Sequence, residues 1–176
     1  LESSQDFDTF GIDTFQPFYE EARQWPEHKR TFPHLIAGAY TWLAQENGIK
    51  SDWLGDKTPI NTLNLSILGK AFPSAKFIYM KRNPYDVVSS YLKAKIYSTP
   101  EQAINRWIAS EKAWNSFIQT RKEKHIFEVK YEDLVSDHKS IMHDIGISFS
   151  IPSRENGTNI TWESLGDIGR RKHYEN

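Results

Sequence analysis

Apolar positions follow two different periods along this chain, and the places where the period changes mark its elements. Phe77-Ile78-Tyr79-Met80 is a short continuous apolar run, the pattern of a strand covered on both faces. It passes directly into Asn83-Pro84-Tyr85-Asp86, which has the chemistry of a helix start. Asn83 is a good N-cap, and Pro84 falls at the first helical position, where its missing N–H costs nothing. Asp86 follows in the first turn, beside the positive end of the helix dipole. Val87, Val88, Tyr91 and Leu92 then share one stripe at helical spacing. The pattern predicts a strand over 77–80 and a helix over 84–95.

The remaining elements are read the same way. Residues 1–31 mix Phe7, Phe10, Phe15, Phe18, Tyr19 and Trp25 with Asp, Ser, Gln, Gly and Pro, without a period. They predict a covering segment of the lid or binding type, with a short helix over 16–24. Leu35, Ala39, Trp42 and Leu43 share a face and predict a helix over 33–47, stopped by Gly48. A short strand is predicted over 52–57. A helix follows over 59–71 with Ile60, Leu63, Ile67 and Leu68 inward. Pro100 opens a longer helix to 119, with Ile104, Trp107, Ile108, Trp114, Phe117 and Ile118 as its apolar side. A basic turn over 121–125 leads into a strand over 126–131, and a last helix runs over 133–144. The tail from Ser148 is polar and ends in the basic run Gly169-Arg170-Arg171-Lys172-His173.

Strands alternating with helices define an α/β protein with a parallel sheet flanked by helices. Such sheets take ligands at the carboxyl ends of their strands. Asp56, Lys57, Arg82 and Tyr131 all fall at predicted strand ends. The Arg82 guanidinium, the free N–H groups of the first helical turn and the Ser90 hydroxyl, about two turns further on, are suited to converge on one anion.

Composition narrows the classes. A chain of 176 residues is long enough for one domain with a real core. No apolar run approaches the length of a spanning helix. A formal net charge of −1 argues against a general nucleic-acid or anionic-membrane binder, while leaving room for a local basic pocket. The chain has no cysteine, which excludes disulfides, thiolate nucleophiles and zinc–thiolate sites.

Three segments taken together resemble the sulfotransferase family that uses 3′-phosphoadenosine 5′-phosphosulfate. They are Asp56-Lys57-Thr58-Pro59, the stretch from Phe72 to Tyr91 with Arg82 and Ser90 in its centre, and Val129-Lys130-Tyr131-Glu132-Asp133-Leu134. The resemblance covers roughly residues 50–145 and implies a P-loop-like sulfotransferase architecture. It implies that Arg82 and Ser90 hold the donor's 3′-phosphate and that Tyr131 lies near the adenine. It implies that the run Arg170, Arg171, Lys172 returns to the 3′-phosphate. Lys57 matches a lysine that neutralises charge developing during sulfuryl transfer, with Asp56 beside it. The reaction also needs a general base. Glu20, Glu21, His28, His34 and Asp56 are the candidates, with one of Glu20, Glu21 or His34 preferred. The implied product is adenosine 3′,5′-bisphosphate, and no metal is expected.

The chain departs from the family in one respect. No Lys-Ser-Gly-Thr-Thr-like loop for the 5′-phosphosulfate occurs in it, so the expectation is a single domain over 1–176 without its first strand and that loop. Two rival readings stand beside sulfuryl transfer to a hydroxyl: a P-loop-type kinase, and a non-catalytic nucleotide-binding module. A small molecule, glycan, lipid or carrier-bound group is the expected acceptor. The expected location is cytoplasmic, or the Golgi lumen in a eukaryote.

Overall fold

The computed structural model describes residues 15–50 and 52–151. The basic run at 170–172 and the first fourteen residues lie outside this range. The described chain divides into two compact units. One contains the residues up to Pro59 with Lys70–Phe72; the other contains Ile60–Gly69 and the residues from Pro73 on.

The first unit is built on aromatic packing. Helix α1 (Gln16–Ala22) buries Phe18 and Ala22. Helix α2 (Phe32–Glu46) turns Leu35, Ala39, Trp42 and Leu43 partly inward, the face that the sequence pattern predicts. Trp42 meets Phe15 at 5.8 Å and Phe18 at 6.3 Å between ring centroids, and Trp25 meets Phe18 edge-on at 5.7 Å. A Cβ on Gly38 would run into the Trp25 indole, so glycine at that position is what lets Trp25 lie against α2. Phe15, Phe18 and Trp25 therefore pack with Trp42 into a small core of their own, where the aperiodic sequence predicts a covering segment. Residues 52–58 contain no strand and are exposed throughout. An extended segment becomes a strand only when a neighbour takes up its backbone N–H and C=O groups.

The second unit carries the sheet. Helix α3 (Leu65–Ala71) is preceded by a 3₁₀ segment, Pro59–Asn64. The tighter winding changes the phase of the apolar face. Leu65 and Gly69 are buried, while the predicted inward residues Ile60, Leu63 and Ile67 are exposed. Strand β1 (Phe77–Lys81) pairs in parallel with β2 (Ile126–Lys130), in the register Phe77 to Ile126 through Lys81 to Lys130. Two helices lie between the strands in the sequence, α4 (Pro84–Lys93) and α5 (Pro100–Ile118). Thr99 caps α5 in a reciprocal capping box with Gln102.

Alternation along β1 decides its packing. Phe77 and Tyr79 face α5: the Phe77 ring lies 4.8 Å from Phe117, and Tyr79 stacks on Trp114 at 4.5 Å and 9°. Leu65, Trp114 and Phe117 form the buried cluster beneath them. On the opposite face Phe127 packs edge-on against Phe149. Gly69 has a packing reason, because a Cβ there would displace the Arg121 guanidinium and press on the Phe117 ring. Arg121 lies 5.1 Å over Phe117 and 5.4 Å over Phe77, and it donates to the Pro73 carbonyl at 3.3 Å.

The helix predicted over 133–144 is in fact two helices. The strand ends at Lys130, and α6 (Tyr131–Ser136) starts at once. Helix α7 (His138–Phe149) begins anew at Asp137, whose carboxylate accepts from the Ser140 N–H at 3.1 Å. A capping aspartate satisfies a helix start and breaks the continuous helix that apolar spacing alone suggests.

Glu128 ties the sheet to α5. Its carboxylate pairs with Lys81 at 2.9 Å and accepts the Trp114 indole N–H. Burial raises its pKa, but the hydrogen bonds from Lys81 and Trp114 outweigh that and leave it below the usual carboxylate range. A depressed folded value adds stability that is complete above the unfolded pKa and is lost as pH falls through the folded one. Glu128→Gln should therefore flatten the acid limb of the Tm-against-pH curve while costing little, about 1 kcal/mol, at neutral pH, since the pair is partly exposed. An acid limb identical to the parent's would refute this.

Candidate functional site

The junction after β1 assembles as the sequence predicts. Asn83 caps α4, its side chain accepting from the Tyr85 N–H at 2.9 Å, and Pro84 holds the first helical position. Arg82 sits between strand and cap. Its guanidinium lies 4.5 Å over the Tyr131 ring, and its Nε is buried without a hydrogen-bond partner. Tyr131 reaches this position because β1 and β2 are parallel and in register, so both strands end at the same level.

The next residue locks the two strand ends together. The Glu132 carboxylate accepts from the Asn83 backbone N–H at 3.1 Å, bridging 49 positions of sequence. Hydrogen bonds from its own backbone N–H and from that of Asn83 hold its pKa below the usual range, and the charges of Arg82 and Lys130 add to this. A cleft of about 400 Å³ opens here, lined by Lys81, Arg82, Asn83, Asp86, Lys130 and Glu132. Ser90 is half-buried on α4, one turn beyond Asp86 and on the same face. Lys81 is paired with Glu128, which leaves Arg82 and Lys130 beside Asp86 and Glu132 in the lining. The carboxylate of Glu132 is engaged with backbone, which leaves the Arg82 side as the part of the cleft suited to an anion.

Of the residues that the sequence singles out, Arg82 lines the cleft and Tyr131 lies against it, while the lining residues Lys81, Lys130 and Glu132 are missed. The two lysines close the strand register, and Glu132 stands beside Tyr131 in a segment already singled out. The signal for all three is adjacency to predicted strand ends. Arg170, Arg171 and Lys172 fall outside the described residues.

The other candidates belong to the first unit. Asp56 accepts from the Tyr40 hydroxyl and from the Thr58 hydroxyl, both at 2.9 Å. Burial, then the hydrogen bond to Asp56 and its charge, push the Tyr40 phenol up to about 12, so it stays a proton donor at neutral pH. Lys57 is exposed beside them. Glu20 accepts from Gln16 at 3.0 Å and pairs loosely with Arg23 at 3.7 Å. Glu21 accepts from the Trp25 indole at 3.4 Å, and His34 meets the Thr31 hydroxyl at 2.7 Å. Glu20, Glu21 and His34 thus each bond within a turn of their own position, whereas Asp56 is reached from 16 residues away by Tyr40. Tyr40 is the residue in this unit that spacing does not reveal. Among the described residues no group of His, Asp and Glu has the arrangement of a metal site, and no helix is long and apolar enough to cross a membrane.

A strand followed by a half-buried arginine at a capped helix start, with a parallel neighbour beside it, agrees with what comparison of the whole chain finds. The profile of the sulfotransferase family matches residues 5–155, and the chain belongs to that family. Among solved structures it is similar to the "Sulfotransferase Domain from the Curacin Biosynthetic Pathway", with 17% identity and a TM-score of 0.54. That match covers 81% of this chain and 56% of the other, so this chain spans little more than half the length of that structure. At this identity the likeness shows the fold. No curated protein matches the chain.

Proposed function

We propose that the chain serves sulfuryl transfer from 3′-phosphoadenosine 5′-phosphosulfate to an acceptor hydroxyl. The observation that carries this reading is Arg82: a guanidinium pinned on an aromatic ring, with a buried and unsatisfied Nε, at the start of a capped helix. Among the described residues the guanidinium has no carboxylate partner, and an oxyanion in the cleft that it lines would supply one. The planar fork suits the 3′-phosphate, and the Ser90 hydroxyl adds a donor from the same helix. The donor, when bound, supplies the sulfuryl group and departs as adenosine 3′,5′-bisphosphate.

The remaining roles follow from the resemblance to the sulfotransferase family. In the transfer, the acceptor oxygen forms the new bond to sulfur as the bond from sulfur to the phosphate oxygen breaks. Lys57 offsets negative charge on the transferring group. The acceptor proton passes to a base, and Glu20, Glu21, His34 and Asp56 are the groups proposed for it. Asp56 has the most defined orientation of these, held by two hydroxyl donors.

The test is a pair of titrations and a turnover assay. Adenosine 3′,5′-bisphosphate should bind about 10- to 150-fold more tightly than adenosine 5′-monophosphate, the range for one or two hydrogen bonds to a charged group. Full-length protein should form bisphosphate from the donor in the presence of hydroxyl acceptors, with EDTA present. Equal affinities for the two nucleotides would sink the reading.

A further inference from the structure

The contact between Arg82 and Tyr131 carries an inference that rests on the donor-site reading above. We infer that Tyr131 is a positioning residue acting through Arg82: its ring holds the guanidinium in the plane from which it grips the 3′-phosphate, and it is not the platform for adenine.

Geometry supports this in three ways. The guanidinium carbon sits 4.5 Å from the ring centroid, so one face of Tyr131 is already covered by Arg82. Stacking uses the flat face of the guanidinium, whereas oxyanions are bound by the N–H groups around its edge. A guanidinium held over a ring can still present edge N–H groups to an oxyanion, so the two contacts are compatible. Among the described residues no carboxylate lies within ion-pair distance of Arg82, so the ring is the group that orients it. The neighbouring residue completes the clamp. Glu132 holds the Asn83 N–H while Tyr131 holds the Arg82 side chain, so two successive residues of α6 fix two successive residues at the start of α4.

An adenine platform and an arginine support make opposite predictions for two ligands that share the base. Calorimetric titration of full-length Tyr131→Leu with adenosine 3′,5′-bisphosphate should show about tenfold weaker binding, the scale of a desolvated cation–π contact. Adenosine 5′-monophosphate, which has no 3′-phosphate, should change by less than about twofold, within the scatter of a contact not made. Tyr131→Phe retains the ring and should restore bisphosphate affinity. Tyr131→Met, close to leucine in bulk and also without a ring face, is measured in parallel in case the leucine variant does not fold. Equal losses for both nucleotides, or no loss for either, would overturn the inference while the parent's preference for bisphosphate keeps the donor-site reading intact. A parent protein that does not distinguish the two ligands overturns both.

Discussion

Replacing Arg82 with alanine is expected to weaken binding of adenosine 3′,5′-bisphosphate by about 3 kcal/mol, roughly 150-fold. The size follows from what the guanidinium contributes. It is a full charge with a fork of donors, it is held on Tyr131, and its Nε has no other partner to fall back on. Affinity for adenosine 5′-monophosphate should hardly move, because the effect belongs to the 3′-phosphate. Arg82→Lys keeps the charge but loses both the fork and the flat face that stacks, so it should recover only part of the loss. Isothermal titration of the three proteins with both nucleotides checks this. The thermal midpoint of Arg82→Ala should stay close to the parent's, since no ion pair is broken among the described residues. Unchanged bisphosphate affinity would remove Arg82 from the donor site.

Trp114→Ala is expected to have the largest effect on stability, about 3–5 kcal/mol. Trp114 is 1% exposed and is the largest fully buried side chain among the described residues. It stacks face to face on Tyr79, touches Phe117, and donates its indole N–H to Glu128. Alanine opens a cavity between α5 and the sheet and leaves the Glu128 carboxylate with one donor fewer. For a chain of this size the thermal midpoint should fall by about 10 °C, measured by circular dichroism. Trp114→Phe separates the two contributions. It retains a ring for Tyr79 and loses the indole donor, so its cost should be nearer 1–2 kcal/mol. A midpoint within a degree or two of the parent's for the alanine variant would mean that the α5–sheet contact is not the core of this unit.

The elements that read correctly from sequence share a feature: their signals are local. Asn83, Pro84 and Asp86 form a helix start whose capping chemistry is complete within four residues, and the structure reproduces it. The 77–80 run and the 126–131 run are strands, within a residue of their predicted ends. The misreadings share the opposite feature. The 52–57 segment has a strand-like pattern, but strandedness depends on a partner elsewhere in the chain. The inward face of 59–71 depends on whether its first turns are 3₁₀ or α, a choice that period alone does not make. The split at Asp137 depends on one carboxylate preferring a neighbouring N–H over solvent.

The candidate site divides along the same line. Arg82 and Ser90, eight apart across a strand–helix junction, are identified by sequence because a backbone that runs strand to helix places them on its own. That Tyr131 lies under Arg82, and that Glu132 holds the Asn83 N–H, follows from the parallel register of β1 and β2. The pairing of Tyr40 with Asp56 likewise joins a helix to a loop 16 residues on. Sequence by itself determined the α/β alternation, the Asn83 cap and the strand–helix junction that it opens, since each is specified by residues within one or two turns. Tertiary structure alone decided which side chains support that junction, because parallel pairing brings together residues that the chain separates by nearly fifty positions, and no local pattern encodes that distance.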